Sequence, residues 1–302
     1  MKANRLFDLW LTICLCTTLL AMGSWISHGQ GTAPGNADVV ETFDHGQINW
    51  SAGLLISSGV ATPPTKKEAK KPHALEEALA RARAIALKNM QNIVLKTRVD
   101  SLNLVGDIAA SNNILLAKVE SLVHGAKAVK HEYLSDGTVE VTMQMPMNGG
   151  FAQLVLPEEI KQIEPIKTVR IGNAASENVL QGSRSDIEAE TYTGIVVDAR
   201  GTQFFPAMAP VIVDEKVREV YGSAFASREF AVQQGMAGYS RDMKTAGQNA
   251  RVSENPLMVK GLGIVENRAS TIIISNADAS KIKSASEHIS SLKRCRVMIV
   301  VD

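Results

Sequence analysis

Ser135-Asp136-Gly137-Thr138-Val139-Glu140-Val141-Thr142-Met143-Gln144-Met145 decides how the first half of this chain is read. Val139, Val141, Met143 and Met145 alternate strictly with Thr138, Glu140, Thr142 and Gln144. A period of two turns one face of a strand to a core and leaves the other wet. Asp136-Gly137 is turn chemistry, because glycine reaches positive φ without a Cβ clash. Upstream, Val129, His131 and Tyr133 alternate with Lys130 and Glu132, so the segment reads as a β-hairpin. His131 has no second histidine at metal-ligand spacing and reads as a cross-strand neighbour.

Working back from the hairpin, Ile114 to Val123 reads as a short helix and Ala74 to Val99 as a long one. In the long helix Leu75, Leu79, Ala82, Ala86, Met90, Ile93 and Thr97 recur at steps of three and four and form the expected core stripe. Glu77 and Arg81 make a favourable i,i+4 pair. Before it, Thr62 to Pro72 is a basic, proline-marked loop, either an anionic-surface patch or a solvated lead into the helix. Ile48 and Trp50, then Gly53 to Val60, read as two short strands, with regular structure starting near Gly46. Strand, strand, helix, helix, strand, strand over residues 43–147 predicts an α+β unit. Its economical packing is an antiparallel four-stranded sheet with helices on one face.

The chain has 302 residues, more than one core usually organises, so a second unit is expected. Residues 148–189 carry Gly149-Gly150, Pro157 and a Ser/Asn/Gly-rich run, and read as a linker with room for one short helix between Phe151 and Ile160. From 190 to 302 the apolar runs at Tyr192–Asp198, Pro206–Asp214, Pro256–Ile264, Ser270–Ile274 and Arg296–Val301 read as strands. A helix from Ala279, capped by Asp278 and presenting Ile282, Ala285, Ile289 and Leu292, lies between the last two. This predicts an α/β-type C-terminal domain.

The N-terminus supplies an address. Lys2 and Arg5 precede an uncharged apolar run from Leu9 to Ile26, the plan of a secretory signal peptide over residues 1–29. Residues 30–42 then read as a flexible lead-in. Lys2, Arg5 and Asp8 together carry the chain's net +1, so the remainder is neutral. Removing the signal also takes Cys14 and Cys16, leaving Cys295, which reads as a small buried hydrophobe on the last strand. The balance of 32 Lys and Arg against 31 Asp and Glu, with 5% aromatics, argues against a nucleic-acid partner.

Gly46-Gln47-Ile48-Asn49-Trp50-Ser51, Ala78-Leu79-Ala80-Arg81-Ala82-Arg83-Ala84, and the run from Gly125-Ala126-Lys127-Ala128-Val129 through Tyr133-Leu134 to Asp136-Gly137-Thr138-Val139-Glu140-Val141 resemble one bacterial family. It is the small outer-membrane lipoprotein family that also contains the P- and T-type flagellar assembly proteins. The resemblance covers roughly 100 residues. It implies a domain that builds rings or discs at the outer membrane, or assists flagellar assembly and envelope integrity. Two departures stand out: Cys14 follows Ile13 and Cys16 follows Leu15, so neither sits in a lipobox, and a long C-terminal portion is added.

Chemistry is sparse. There is no P-loop, no complete G-x-G-x-x-G, no G-x-S-x-G and no H-E-x-x-H. The sharpest constellation is Asp198 and Arg200 at one strand end with Asp214 at the end of the next apolar run. Such residues either bind a cation or act as acid and base, or form an ion pair that ties a turn. Trp50, Glu140 and Thr142 are the candidate interaction face. No cofactor and no metal are expected. The function expected is a non-enzymatic periplasmic or outer-envelope structural or assembly protein. Its partners would be envelope or flagellar basal-body proteins or further copies of itself, with membrane contact only through the N-terminal segment if that segment is not cleaved. The alternative is a periplasmic binding module for a glycan or small ligand through the C-terminal domain.

Overall fold

The computed structural model describes residues 37–62, 73–160, 191–284 and 286–302. The expected signal segment 1–29, most of the basic loop and residues 161–189 of the expected linker lie outside these residues.

The diagnostic hairpin is present as β4 (Lys127–Tyr133) and β5 (Val139–Pro146). Gly137 sits at φ 86°, and the Asp136 carboxylate accepts the Thr138 N–H at 2.9 Å. Val139, Val141 and Met143 are fully buried, as the alternation requires. β1 (Val40–Phe43), β2 (Gly46–Asn49) and β3 (Leu54–Ala61) complete an antiparallel sheet in the order β1-β2-β3-β5-β4. The sheet therefore has five strands, not four. The extra one, β1, falls at the end of the stretch read as a flexible lead-in. It pairs Val40 with Asn49 and Phe43 with Gly46, and its strand-like Val-Glu-Thr-Phe is too short to announce itself by period.

One face of this sheet is covered by α1 (Ala74–Leu95). The buried face is Ala78, Ala82, Ala86, Met90, Ile93 and Val94, while Leu75 is half exposed. Ala82, Ala86, Met90, Ile93 and Thr97 of the expected stripe are buried; of its two leading leucines, Leu79 is half-buried and Leu75 is not part of the core. Gly59 on β3 shows why the centre of the stripe is alanine. A Cβ there would lie 2.3 Å from both the Ala82 oxygen and the Ala86 nitrogen, so helix and strand meet backbone to backbone and only small side chains fit between them. Two shorter helices follow, α2 (Val105–Ala110) and α3 (Asn113–His124), the second capped by Asn112 accepting from the Leu115 N–H at 3.0 Å.

The chain then runs into α4 (Gly150–Val155), where Phe151 and Ile160 are nearly inaccessible. Residues 148–160 are consequently packed rather than linker-like. The second sheet is built from β6 (Gly194–Asp198), β7 (Val211–Val213), β8 (Glu219–Tyr221), β9 (Gly238–Ser240), β10 (Pro256–Val265), β11 (Arg268–Ile274) and β12 (Val297–Val300). Their order is β8-β7-β11-β10-β6-β12-β9. β9, β12, β6 and β10 run parallel, and β11 returns antiparallel beside β10. β12 is buried along its length between β6 and β9. The α+β class holds, with a mixed second sheet.

Short helices α5 (Arg228–Gln234) and α6 (Met243–Gly247) flank β9 along the chain. The terminal helix departs from expectation: it is two helices, α7 (Asn276–Lys283) and α8 (Ser286–Lys293). Its cap is Ser275, whose Oγ accepts the Asp278 N–H at 3.0 Å and donates to the Asp278 carboxylate at 2.8 Å. Asp278 is the residue at the third helical position that supplies this N–H and accepts the Ser275 hydroxyl, not the cap. Cys295 is fully buried, but in the turn before β12 at φ 54° rather than on the strand.

Residues Ala33–Asp302 form one compact unit. One buried apolar cluster runs from Ile48 and Met90 through Phe151 and Met208 to Ile299. Backbone bonds cross the same seam: Met208 N–H to Arg98 C=O at 3.0 Å and Ala209 N–H to Val99 C=O at 2.7 Å. Among the described residues, no helix is long and apolar enough to cross a membrane.

Candidate functional site

The Asp198 group forms only in part. Asp198 ends β6, and Arg200 folds back on it with Nε and Nη2 at 2.8 and 3.0 Å from the two carboxylate oxygens. Parallel pairing places Lys260 of β10 opposite Asp198, and its Nζ lies 3.1 Å from Oδ2. The Arg200 guanidinium, helped by Lys260, holds the Asp198 carboxyl well below the usual carboxylate range against the opposing pull of burial. Asp214 is elsewhere: two strands, β10 and β11, separate β6 from β7. Its carboxylate accepts the Lys216 and Arg218 N–H groups at 2.9 Å each and the Arg218 guanidinium at 2.8 Å. Burial pushes its pKa up, but these donors win and hold it below the ordinary value. Asp214 thus wraps the β7–β8 turn, which carries Val217 at φ 59°. The three residues do not make one site. Asp198 and Arg200 form an ion pair, and Asp214 is a turn organiser.

Trp50 is not on an exposed face either. It is 5% exposed and packs edge-on against Tyr239 of β9, with ring centroids 5.9 Å apart. Glu140 and Thr142 do occupy the wetter face of β5, half-buried, but β5 lies inside the sheet between β3 and β4. The edge itself, β4, is exposed along its length and carries Lys127, Lys130 and a bulge between Ala128 and Lys130. Lysines and a bulge discourage strand addition. Among the described residues no cluster of three or more His, Cys, Asp or Glu side chains is placed to hold a metal ion.

The concave surface lies at the seam between the sheets, where Trp50 is a wall common to two spaces. On one side is a cavity of about 280 Å³ lined by Met147, Asn148, Met208, Tyr239 and Arg251, among others. Arg251 there donates to the Gly235 and Cys295 carbonyls at 3.0 and 2.9 Å and to the Gln234 carbonyl, so it ties together the chain ends of α5 and α8. The Tyr239 hydroxyl donates to the Ala207 carbonyl at 2.6 Å, and Ser51 Oγ donates to the Tyr239 carbonyl at 2.7 Å.

On the other side is a groove of about 570 Å³, formed by Glu41, Trp50 and Arg98 from the first sheet's layer and by Gln203, Phe205, Arg241 and Asp302 from the second. Arg98 is its keystone. Its Nε donates to the Pro206 carbonyl at 2.9 Å, it pairs with Glu41, and its guanidinium sits 5.8 Å from the Trp50 ring centre and 5.3 Å from that of Phe205. An arginine between two aromatic rings is positioned by cation–π attraction as well as by its ion pair.

Residues 194–302 match the family model for the second domain of Treponema pallidum Tp0624. No curated protein matches the chain. The Tp0624 second-domain match begins at the first residue of β6 and takes in the whole seven-stranded sheet. It contributes Gln203, Phe205, Arg241 and Asp302 to the groove, while Glu41, Trp50 and Arg98 come from outside it. The groove therefore belongs to the pairing of this domain with the preceding sheet. Arg98, Phe205 and Arg241 escaped the sequence reading. The available signal was Phe204-Phe205-Pro206, an aromatic pair before proline in a chain with only seven phenylalanines.

Proposed function

We propose that this chain is a non-enzymatic protein of the cell envelope, exported to the periplasm or the periplasmic face of the outer membrane, that acts by contact rather than by transforming a substrate. The observation that carries this reading is that the carboxylates best placed for acid–base work are already committed. Asp198 accepts from Arg200 and Lys260, and Asp214 from Arg218 and two backbone N–H groups. A general base must be available to take a proton from substrate, and a carboxylate held ionised by two cations is a poor one. The resemblance of residues 43–147 to the outer-membrane lipoprotein and flagellar assembly family supports an envelope or basal-body partner, and the apolar N-terminal run supports export.

The test is fractionation of cells carrying a C-terminally tagged chain, followed by crosslinking and pull-down. Recovery in the envelope fraction with defined outer-membrane or basal-body proteins is expected. A protein confined to the cytoplasm would overturn the reading. A second reading, a periplasmic binding module, is favoured by one observation: the groove at the seam, open to solvent and lined by aromatic and polar side chains from both sheets.

A further inference from the structure

Phe205 is an exposed ring held in place. It is 52% exposed, yet its neighbours Phe204 and Pro206 are buried, so the alternation of the loop sends it outwards. Its N–H donates to the Ala269 carbonyl at 2.8 Å, and its carbonyl accepts the Ser270 hydroxyl at 2.8 Å. Both its backbone groups are therefore pinned to β11. Arg98 stacks on the ring at 5.3 Å. Gln203, two residues earlier, holds a left-handed backbone at φ 61°, a conformation an L-residue adopts at some cost. The ring is therefore held in one place before any partner arrives, which lowers the ordering cost of a contact made on it.

The groove around it is balanced in charge: Arg98 and Arg241 against Glu41 and Asp302. Balanced walls focus no field, so they select neither a polyanion nor a cation. What remains for hydrogen bonding is planar. The Gln203 amide and the Arg241 Nη groups have no partner among the described residues, because Arg241 uses only Nε, on the Asp38 carbonyl at 3.1 Å. Planar amides and guanidinium forks match pairs of neighbouring hydroxyls, offering two parallel bonds each. An aromatic face complements the C–H face of a pyranose ring, which is apolar above and below and polar at its rim. A groove of about 570 Å³ falls within the usual range of ligand sites, about 300–1,000 Å³.

We propose that the seam groove binds an uncharged glycan, with Phe205 as the platform under one sugar ring and Gln203 and Arg241 holding its hydroxyls. The assignment rests on the binding-module reading and gives it a site and a ligand class. Arg98 is a positioning residue: it fixes Phe205 and joins the two sheets.

The chain supplies its own reporter. Its three tryptophans are Trp10, Trp25 and Trp50, so the unit Ala33–Asp302 contains only Trp50, which lines the groove. The experiment titrates that unit with cellotetraose, with tetra-N-acetylchitotetraose and with tetragalacturonate as the anionic control, following Trp50 emission. Each variant's urea midpoint is recorded as the folding control. A saturable change is expected with at least one neutral tetrasaccharide and none with tetragalacturonate. Phe205→Ala is expected to weaken binding at least tenfold at an unchanged urea midpoint, and Phe205→Tyr to retain it. Three results would overturn the assignment: no saturable change with either neutral sugar, binding of the acidic sugar alone, or full binding by folded Phe205→Ala. Recovery of envelope partners in the pull-down together with silent titrations would reject the glycan and leave the contact function standing.

Discussion

Replacing Gly59 by alanine adds one methyl group, and the structure says where it would go. The new Cβ would sit 2.3 Å from the Ala82 carbonyl oxygen, 2.3 Å from the Ala86 amide nitrogen and 2.9 Å from the Ala86 Cα. Comfortable contacts begin near ~3.5 Å, so β3 and α1 must part by about 1 Å. The obstacles are backbone atoms, which no rotamer change can move aside. Displacing α1 also loosens Ala78, Ala82, Ala86 and Met90, all at 0% exposure. Overpacking of a tight core costs ~1–3 kcal/mol, and this contact belongs at the upper end of that range. Alanine's restriction of the unfolded chain offsets ~0.4–1 kcal/mol. The net expectation is a loss of about 2 kcal/mol, a large part of a typical stability of ~5–15 kcal/mol. Urea unfolding of the unit Ala33–Asp302, followed by far-UV circular dichroism, measures it as a lower midpoint at constant slope. Gly263→Ala is the control, because no atom lies within 4 Å of the Cβ it would add. It should stay within ~0.5 kcal/mol of the parent. Equal midpoints for the two variants would refute the claim that glycine and alanine at this crossing set the helix–sheet distance.

Asp198 is held ionised in the folded state, so its contribution to stability is present above the unfolded carboxylate pKa of ~3.9 and is lost as pH falls from there through the depressed folded value. The stability gap between the parent and Asp198→Asn should therefore be constant near neutrality and shrink below about pH 4, as read by thermal melts across pH. A gap that widened on acidification would contradict the ion-pair assignment. Val217, β-branched and 52% exposed at φ 59°, should be improved by asparagine, which tolerates that backbone; a gain of about 1 kcal/mol in urea unfolding is expected. Deleting residues 296–302 removes β12, which lies between β6 and β9 with Val297, Ile299 and Val300 at 0% exposure, and should abolish the cooperative melt.

Much of the architecture was legible because it rests on local period. The alternation from Val139 to Met145, the Asp136-Gly137 turn, the long helical stripe and the apolar runs of the second half each follow from short-range geometry that a single sequence displays. The missed strands share a cause. β1 and β9 are four and three residues long, too short for a period, and exist because a neighbouring strand offers them hydrogen bonds. The break between α7 and α8 and the capping role of Ser275 are local too, but Ser275 and Asp278 are both acceptable caps in sequence, and only the backbone distinguishes them.

By itself the sequence determined the α+β class, the antiparallel hairpin, the position of the main helix and the absence of any recognised catalytic motif. The face that the main helix turns to the sheet was also legible, since Ala82, Ala86, Met90 and Ile93 of the expected stripe are buried; tertiary structure decided how closely helix and sheet approach, at Gly59. It also separated Asp198 from Asp214, since strand order rather than chain order sets distance across a sheet. Above all it assembled the groove. Glu41, Arg98, Phe205 and Arg241 are scattered over 200 residues and obey no common spacing. They meet only because two sheets bury one core between them, and a long-range contact of that kind leaves no periodic trace in the chain.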